Sequence, residues 1–155
     1  MSDDPAALVR VWLILPPDDV KRRIGALQES LRELDWVAAV PQHFLHVSAP
    51  PSAADWANVA PFPIGYRRVN CFHDAAIVEA HADGPFPPPP FLPHLSIGYF
   101  RQAERVEPLR DVLMPLRAAE FGVGVVEEAV LCEVPTAKKT FLEPWRVVER
   151  VRLSG

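Results

Sequence analysis

The sequence is poor in cysteine. Cys71 and Cys132 are the two cysteines among 155 residues, and they are too far apart in sequence to form a C-x-x-C motif. A framework of several disulfides, which many small secreted domains need for stability, is therefore excluded. A single disulfide between them has no support in the sequence, so we expect two reduced, buried thiols.

Long apolar segments are also missing. No apolar run approaches the roughly 20 residues that a membrane-spanning helix needs. The amino-terminal segment MSDDPAALVR lacks the basic region and the apolar core of a secretory signal. We therefore expect no membrane association and a cytoplasmic location.

Basic residues are in deficit. The 16 lysines and arginines are outnumbered by 20 acidic residues, which gives a formal net charge of −4. A protein with this balance lacks the basic face that a long nucleic-acid track requires. An RNA ligand is therefore expected to be held at a terminus or at a single linkage. Nothing in the sequence indicates a protein partner, and we expect a monomer.

The apolar residues follow a regular order at the start of the chain. Their share is 49%, which suffices for one hydrophobic core in a chain of this length. An apolar strand, Leu8–Leu15, is followed by Asp18 and Asp19, and carboxylates favour a helix start. The helix that follows has an apolar face with steps of three and four residues. This face consists of Val20, Ile24, Leu27, Leu31 and Leu34.

Further β-prone segments alternate with one more amphipathic stretch. Apolar residues at helical spacing around Pro108 predict a second helix, which Pro115 kinks or ends. The predicted strands are Trp36–Val40, Phe44–Ala49, Ile64–Phe72, Ala75–Ala80, Pro93–Phe100, one or two within Phe121–Val134, and Trp145–Leu153. The order strand, helix, strands occurs twice. This order predicts an α+β fold in which residues 1–155 form a single domain of two similar lobes.

Two of the predicted strands carry the same pattern. His46-Val47-Ser48 and His94-Leu95-Ser96 each place a histidine and a serine around one aliphatic residue. Because side chains alternate along a strand, each histidine shares a face with its serine, while the aliphatic residue points into the core. Free imidazole titrates at about pH 6.5, so one neutral ring can accept a proton while one charged ring donates a proton. The hydroxyls are suited to bind the non-bridging oxygens of a phosphodiester, and this scheme requires no metal.

These motifs resemble those of the 2H phosphoesterase superfamily, the group of RNA 2′-5′ ligase-like proteins and cyclic phosphodiesterases. The likeness covers most of the chain, from the first strand and its helix to Pro93-His94-Leu95-Ser96 and the closing strands. It implies a pseudo-symmetric domain in which antiparallel sheets line a central cleft and helices lie outside. It also implies a substrate with a 2′,3′-cyclic phosphate or a 2′-5′ phosphodiester, in RNA or a nucleotide, and no cofactor. The catalytic residues that it assigns are His46, His94, Ser48 and Ser96.

The chain departs from that family in two respects. Both motifs have serine where threonine is common, and serine is less restrained about χ1, which loosens the positioning of a phosphate. Many members have a helix before the second motif, where this chain has the proline-rich run Gly84–Pro93. We interpret the run as a stiff connector and not as a ligand for a proline-recognition domain, because it leads directly into a motif strand. These departures concern the identity of the substrate more than the chemistry.

Five further residues are candidates for contacts with the substrate. Phe44 and Phe100 share the motif faces by strand parity, where they either stack on a base or join the core. Arg101 follows the second motif strand, within reach of a phosphate. Lys138 and Lys139 lie in a polar segment, which is interpreted either as a basic loop over the site or as a solvated turn.

Other basic residues are expected to lie mostly outside the site. His43 and His46 form an H-x-x-H pair, but a spacing of three on a strand points them to opposite faces, and no further residue completes a metal site. Arg67 and Arg68 are adjacent on a strand, so at most one of them faces the substrate.

Two alternatives to an enzyme stay open at this point. The same cleft suits a non-catalytic module that binds a nucleotide or an RNA end, and the paired motifs are also compatible with coincidence in an unrelated α+β domain. The sequence leaves open whether the reaction is hydrolysis or ligation, and which histidine is the base.

Overall fold

The computed structural model describes residues 8–49, 55–83, 85–86, 91–101, 106–135 and 145–155. Within these ranges the chain forms helices α1 (Asp18–Arg32) and α2 (Val106–Leu113), with nine strands in antiparallel pairs. The strands are β1 (Leu8–Ile14), β2 (Val37–Ala39), β3 (Val47–Ala49), β4 (Phe62–Cys71), β5 (Ala75–His81), β6 (His94–Phe100), β7 (Glu120–Val126), β8 (Glu128–Pro135) and β9 (Arg146–Arg152). The predicted α+β class is confirmed. Neither helix in the described ranges has the length and apolar character needed to cross a bilayer.

The strands form one sheet with a narrow middle. Its order is β7-β4-β5-β6-β3-β1-β8-β9, and β2 pairs with the carboxyl-terminal part of β6. The two halves of the sheet are joined where β3 meets β6, through the single residue pair Val47 and Leu95. The described strands thus fall into two groups, which meet at the segments that carry the two H-x-S motifs.

Helix α1 packs on one face of the strand group β7-β4-β5-β6, where it contacts β7, β6 and the β2 strand that pairs with β6. Its apolar residues are buried at the predicted spacing, and Val20 and Leu31 are inaccessible to solvent. Gly122 leaves room for the helix: a Cβ atom at this position would lie 2.6 Å from Nη1 of Arg23 and 3.4 Å from Cγ2 of Val20. The opposite face of these strands is therefore not covered by α1, and it is the face that carries the motif side chains.

Strand β6 contains a β-bulge at Ile97. Gly98 lies opposite Ala76 of β5, but Ser96 lies opposite Ile77, which is the very next residue of β5. One residue of β6 therefore has no counterpart, and the alternation of side chains reverses beyond it. The predicted strand has the right extent, but its side-chain parity is wrong after Ser96.

Gln28 connects helix α1 to this bulge. Its side chain is fully buried, and its Nε2 donates hydrogen bonds to the carbonyl oxygens of Val40 at 2.7 Å and Ile97 at 2.9 Å. The backbone N–H of Val40 also donates to the Ile97 carbonyl, at 3.0 Å. Buried carbonyls in an irregular segment need such donors, because water does not reach them. A polar residue on the apolar face of α1 thus stabilises the irregular part of β6.

We expect Gln28→Leu to lower the free energy of unfolding by about 1–3 kcal/mol, because the buried carbonyl of Val40 loses its side-chain donor. Urea denaturation measures this change. Gln42→Leu makes the same substitution at an exposed position, and as a control it is expected to change stability by less than about 0.5 kcal/mol. Equal stability of the wild type and Gln28→Leu would contradict the proposed role of this amide.

The predicted strand Phe44–Ala49 is partly wrong. A short 3₁₀ helix occupies Gln42–Phe44, and strand β3 begins only at Val47. The N–H of Phe44 donates to the Pro41 carbonyl at 2.8 Å, which closes a tight turn directly after the proline. The first motif therefore stands at the junction of a turn and a strand, and strand parity does not apply before it.

The two cysteines differ in their surroundings. Cys132 is buried, as expected, but Cys71 is exposed at the end of β4, and both thiols are free. The expectation that both are buried is therefore wrong for Cys71. Burial raises the pKa of the Cys132 thiol, and the charge of Arg150 opposes this change.

Candidate active site

The register of β3 and β6 brings the two motifs together. Val47 and Leu95 lie opposite each other, and both are fully buried. Because the pair is antiparallel, the histidine of each motif is next to the serine of the other. The Cβ atoms of such neighbours lie about 5 Å apart, on the face opposite to the buried pair. The resulting cluster consists of His46, Ser48, His94 and Ser96.

Both histidines are oriented in the same way by the backbone. The Nδ1 atom of His46 lies 2.6 Å from the carbonyl oxygen of Phe44, and that of His94 lies 2.9 Å from the carbonyl oxygen of Leu92. A carbonyl oxygen only accepts hydrogen bonds, so each Nδ1 carries a proton and donates it. Each Nε2 is then the ring nitrogen that is left to accept or donate a further proton. The acceptor lies two residues before the histidine in both halves of the chain.

Aromatic side chains pack against both imidazoles. The ring of Trp145 lies 5.1 Å from the His46 ring between centroids, and the ring of Phe72 lies 4.8 Å from the His94 ring in an edge-to-face arrangement. These contacts limit rotation of the imidazoles and leave them half-buried. Neither aromatic residue was identified from the sequence, because both lie far from the motifs in the chain and reach them only through the fold.

The environment of His46 favours its neutral form. Burial lowers the pKa of His46, the hydrogen bond to the Phe44 carbonyl opposes this, and the charges of His94 and Lys21 lower it further. A histidine whose pKa lies below about 6.5 is mostly neutral at pH 7, and its Nε2 is then free to accept a proton. His46 is thus electrostatically suited to act as a base.

Tyr99 adjoins the cluster, although regular alternation along a strand would place it on the other face. Parity along an unbroken strand points Tyr99 away from Ser96, but the bulge at Ile97 brings both side chains to one face. The Tyr99 hydroxyl forms a hydrogen bond with the Ser96 side chain. Burial raises the pKa of Tyr99, so its hydroxyl stays protonated. The hydrogen bond with the Tyr99 hydroxyl therefore restricts the orientation of the Ser96 hydroxyl.

The two phenylalanines proposed to stack on a base have other positions. Phe44 is 6% exposed, and the centroid of its ring lies 4.6 Å from that of the His46 ring. It therefore packs against the imidazole from the side of the core. Phe100 lies beyond the bulge, opposite the buried Val37, and its ring packs 5.4 Å from that of Trp36. Phe44 thus has the core position that the sequence left open as the alternative to stacking, and the bulge turns Phe100 away from the face of the motif side chains.

Arg101 is too far along β6 to share a phosphate with His94. Arg101 follows His94 by seven positions, which is roughly 20 Å along a strand. Its Nη1 instead donates to the carbonyl oxygen of Asp35 at 3.3 Å. Arg101 is therefore too distant to contact a phosphate that is held at His94.

The remaining basic candidates have mixed outcomes. His43 is exposed on the 3₁₀ helix. Arg67 and Arg68 line the same cavity, so the expectation of one arginine on each face is wrong. Lys138 and Lys139 lie outside the described residues. Among the residues described here, no three His, Cys, Asp or Glu side chains are grouped to hold a metal.

Comparison with solved structures identifies the fold. TT0787 of Thermus thermophilus aligns with a TM-score of 0.68 at 18% identity, over 94% of this chain and 98% of that chain. LigT of E. coli complexed with NADP+ aligns with a TM-score of 0.63 at 14% identity, and a structure described as a phosphoesterase with 0.63 at 13%, both over the same shares of the chains. No protein-family model and no curated protein matches the sequence. The chain thus has the fold of LigT and TT0787, as the resemblance of its motifs implied.

Proposed function

We propose that this protein is a phosphodiesterase that acts on a 2′,3′-cyclic phosphate or a 2′-5′ phosphodiester of RNA or a nucleotide, with one histidine as base and the other as acid. The observation that carries the proposal is the matched pair of imidazoles, each with its Nδ1 hydrogen donated to a carbonyl two residues earlier. With each Nδ1 engaged, Nε2 is the available nitrogen of both rings, and the register of Val47 and Leu95 places each motif histidine next to the serine of the other motif. No metal is needed, because the imidazoles themselves supply both proton transfers.

In this mechanism His46 is the base and His94 the acid. Water attacks the phosphorus of a cyclic phosphate while Nε2 of neutral His46 accepts one of its protons. The bond from phosphorus to one ribose oxygen breaks, and Nε2 of charged His94 donates its proton to that oxygen. The products are a phosphomonoester and a free ribose hydroxyl, and proton exchange with solvent restores both rings. The lowered pKa of His46 supports this assignment of the roles.

The two serines act on the phosphoryl oxygens. As negative charge builds up on the non-bridging oxygens, hydroxyl donors of fixed orientation stabilise the transition state more than the substrate. Ser96 has the support of the Tyr99 hydroxyl for this role, whereas Ser48 is exposed. A nucleotide is a reasonable ligand, since LigT of the same fold has been crystallised with ATP and with 3′-AMP.

The proposal predicts turnover in the presence of excess chelator. Purified protein is to be incubated with nucleoside 2′,3′-cyclic phosphates, with RNA ending in a cyclic phosphate, and with 2′-5′ dinucleotides, each with and without EDTA. We expect product from at least one class at a rate that EDTA does not change. Binding without turnover of any of them would favour the non-catalytic module, and strict dependence on a divalent ion would refute the two-histidine mechanism.

The proposal also predicts a bell-shaped dependence of kcat/KM on pH. Activity falls in acid as His46 is protonated and in alkali as the acid loses its proton, and the apparent pKa values belong to the coupled pair. Because burial lowers the pKa of His46, the acidic midpoint is expected below about pH 6.5. Trp145→Leu opens the surroundings of His46 and is expected to move this midpoint upward, whereas His43→Ala is expected to leave it in place. A midpoint that moves downward in Trp145→Leu would contradict burial as the cause.

A further inference from the structure

A second β-bulge, in β4, creates a cavity lined by arginines. Arg67 lies opposite Glu79 of β5, but Val69 lies opposite Val78, so that Arg68 is the extra residue. The cavity has a volume of about 430 Å³. The residues that line it are Arg67, Arg68, His81, Arg117, Ala118 and Glu120. Because of the bulge, the neighbouring residues Arg67 and Arg68 both line this cavity. In a regular strand their side chains would point to opposite faces of the sheet.

The backbone at Arg68 is unfavourable for an arginine. Its φ is 71°, in the left-handed region that glycine adopts readily and other residues avoid. Its N–H donates to the Ala119 carbonyl at 2.8 Å, which holds this conformation. Glycine would satisfy the same backbone at a lower energetic cost. An arginine in a strained conformation at a cavity is the kind of feature that accompanies a function of the side chain.

The charges in the cavity favour an anion. Within the described residues, the side chains of Arg67, Arg68 and Arg117 form no ion pair or hydrogen bond. Glu120 is the one carboxylate among the lining residues, and His81 is engaged by the buried Glu79, with 3.0 Å between Nε2 and Oε1. Three guanidinium groups thus outnumber the two carboxylates at this cavity, that of Glu120 and that of the Glu79 that contacts His81, in a protein whose net charge is −4. Guanidinium groups bind phosphate oxygens in bidentate fashion, which suits a phosphate at this place.

The cavity adjoins the catalytic cluster on the same face of the sheet. Arg67 lies opposite Glu79, and Glu79 lies opposite His94, so the three side chains emerge on one side of three neighbouring strands. Two strand spacings amount to roughly 10 Å. One nucleotide together with an extended arginine side chain can span this separation.

We propose that this cavity binds the phosphate next to the reacting one, so that the substrate is an oligonucleotide and not a mononucleotide. The inference rests on the proposed function, because it assumes that the reacting phosphate lies at His94. It names the class of substrate that the motifs leave open: a chain that carries at least one further phosphodiester beside the terminal or scissile group.

The test varies one charge in the substrate. A dinucleotide ending in a 2′,3′-cyclic phosphate is compared with the same dinucleotide carrying a neutral methylphosphonate at its internal linkage. For the wild type we expect kcat/KM to be about tenfold or more higher with the charged linkage, as for a charge-assisted hydrogen bond. Arg67→Ala and Arg117→Ala are expected to bring this ratio close to one. Arg101→Ala, at the far end of β6, is the matched control and is expected to retain the ratio.

Arg68→Gly separates a binding role from a structural one. Since glycine tolerates the left-handed backbone, this variant is expected to melt at the wild-type temperature or above it, and still to lose discrimination between the two dinucleotides. Calorimetric binding of both dinucleotides gives the same ratio without turnover. Absence of turnover with unequal affinities would refute the proposed reaction but support the subsite. Equal affinities and equal kcat/KM for the two dinucleotides, or a ratio that all three variants retain, would overturn the subsite.

Discussion

Replacing either motif histidine by alanine is expected to lower kcat on a 2′,3′-cyclic phosphate by about 10²–10⁴-fold, the usual effect of removing a positioned acid or base. In His46→Ala the attacking water has no acceptor for its proton, and in His94→Ala the leaving oxygen has no donor. Because the two residues act in one step, the double variant is expected to be little worse than either single variant. Single-turnover kinetics separate this effect on the chemical step from effects on binding.

His43→Ala is the matched control for this prediction. His43 is three residues from His46 in the chain, but it is exposed on the 3₁₀ helix, and it makes no side-chain hydrogen bond or ion pair within the described residues. Its replacement is expected to leave kcat within about twofold of the wild type, an ordinary result for an exposed side chain. Loss of activity in His43→Ala with retention in His46→Ala would mean that the site and its mechanism are wrongly assigned.

Replacing either motif serine by alanine is expected to lower kcat by about 10²–10³-fold, because each change removes one donor to the charge that develops on the phosphoryl oxygens. KM is expected to change less than kcat, since these contacts strengthen in the transition state. Ser96→Thr and Ser48→Thr retain the hydroxyl and are expected to keep most of the activity.

Ser154→Ala serves as the control for the serine variants. The Ser154 hydroxyl is exposed and donates to the Ala57 carbonyl at 2.8 Å, at the carboxyl-terminal end of the chain. Wild-type kcat is expected for this variant. If Ser48→Ala and Ser96→Ala were also as active as the wild type, the hydroxyls would have no part in stabilising the phosphoryl oxygens. The contact between Tyr99 and Ser96 would then have no role in catalysis either.

The elements with strong local patterns were predictable from the sequence. Helix α1 begins at Asp18 and buries four of the five predicted apolar residues, because spacing along a helix is a local property. The fifth, Leu34, lies beyond the last helical residue, Arg32, and is half-buried. The strand that starts at His94 was also predicted nearly to the residue. The segment before His46 was predicted as a strand, but a tight turn after Pro41 occupies it. The motif residues were recognisable as a pair because each motif is short and repeated in similar surroundings.

The candidate site beyond these motifs depends on contacts between distant segments. The sequence determined which residues form the histidine–serine motifs and which face of α1 is buried, because such preferences arise from neighbours within a few positions. Only the tertiary structure decided that Val47 meets Leu95, that Tyr99 reaches Ser96, and that two adjacent arginines share one cavity. Each of these depends on strand register or on a bulge. Register and bulges are set by hydrogen bonds and packing between segments far apart in the chain. The hydrogen bond from Gln28 of α1 to the Ile97 carbonyl, in the bulge of β6, is an example.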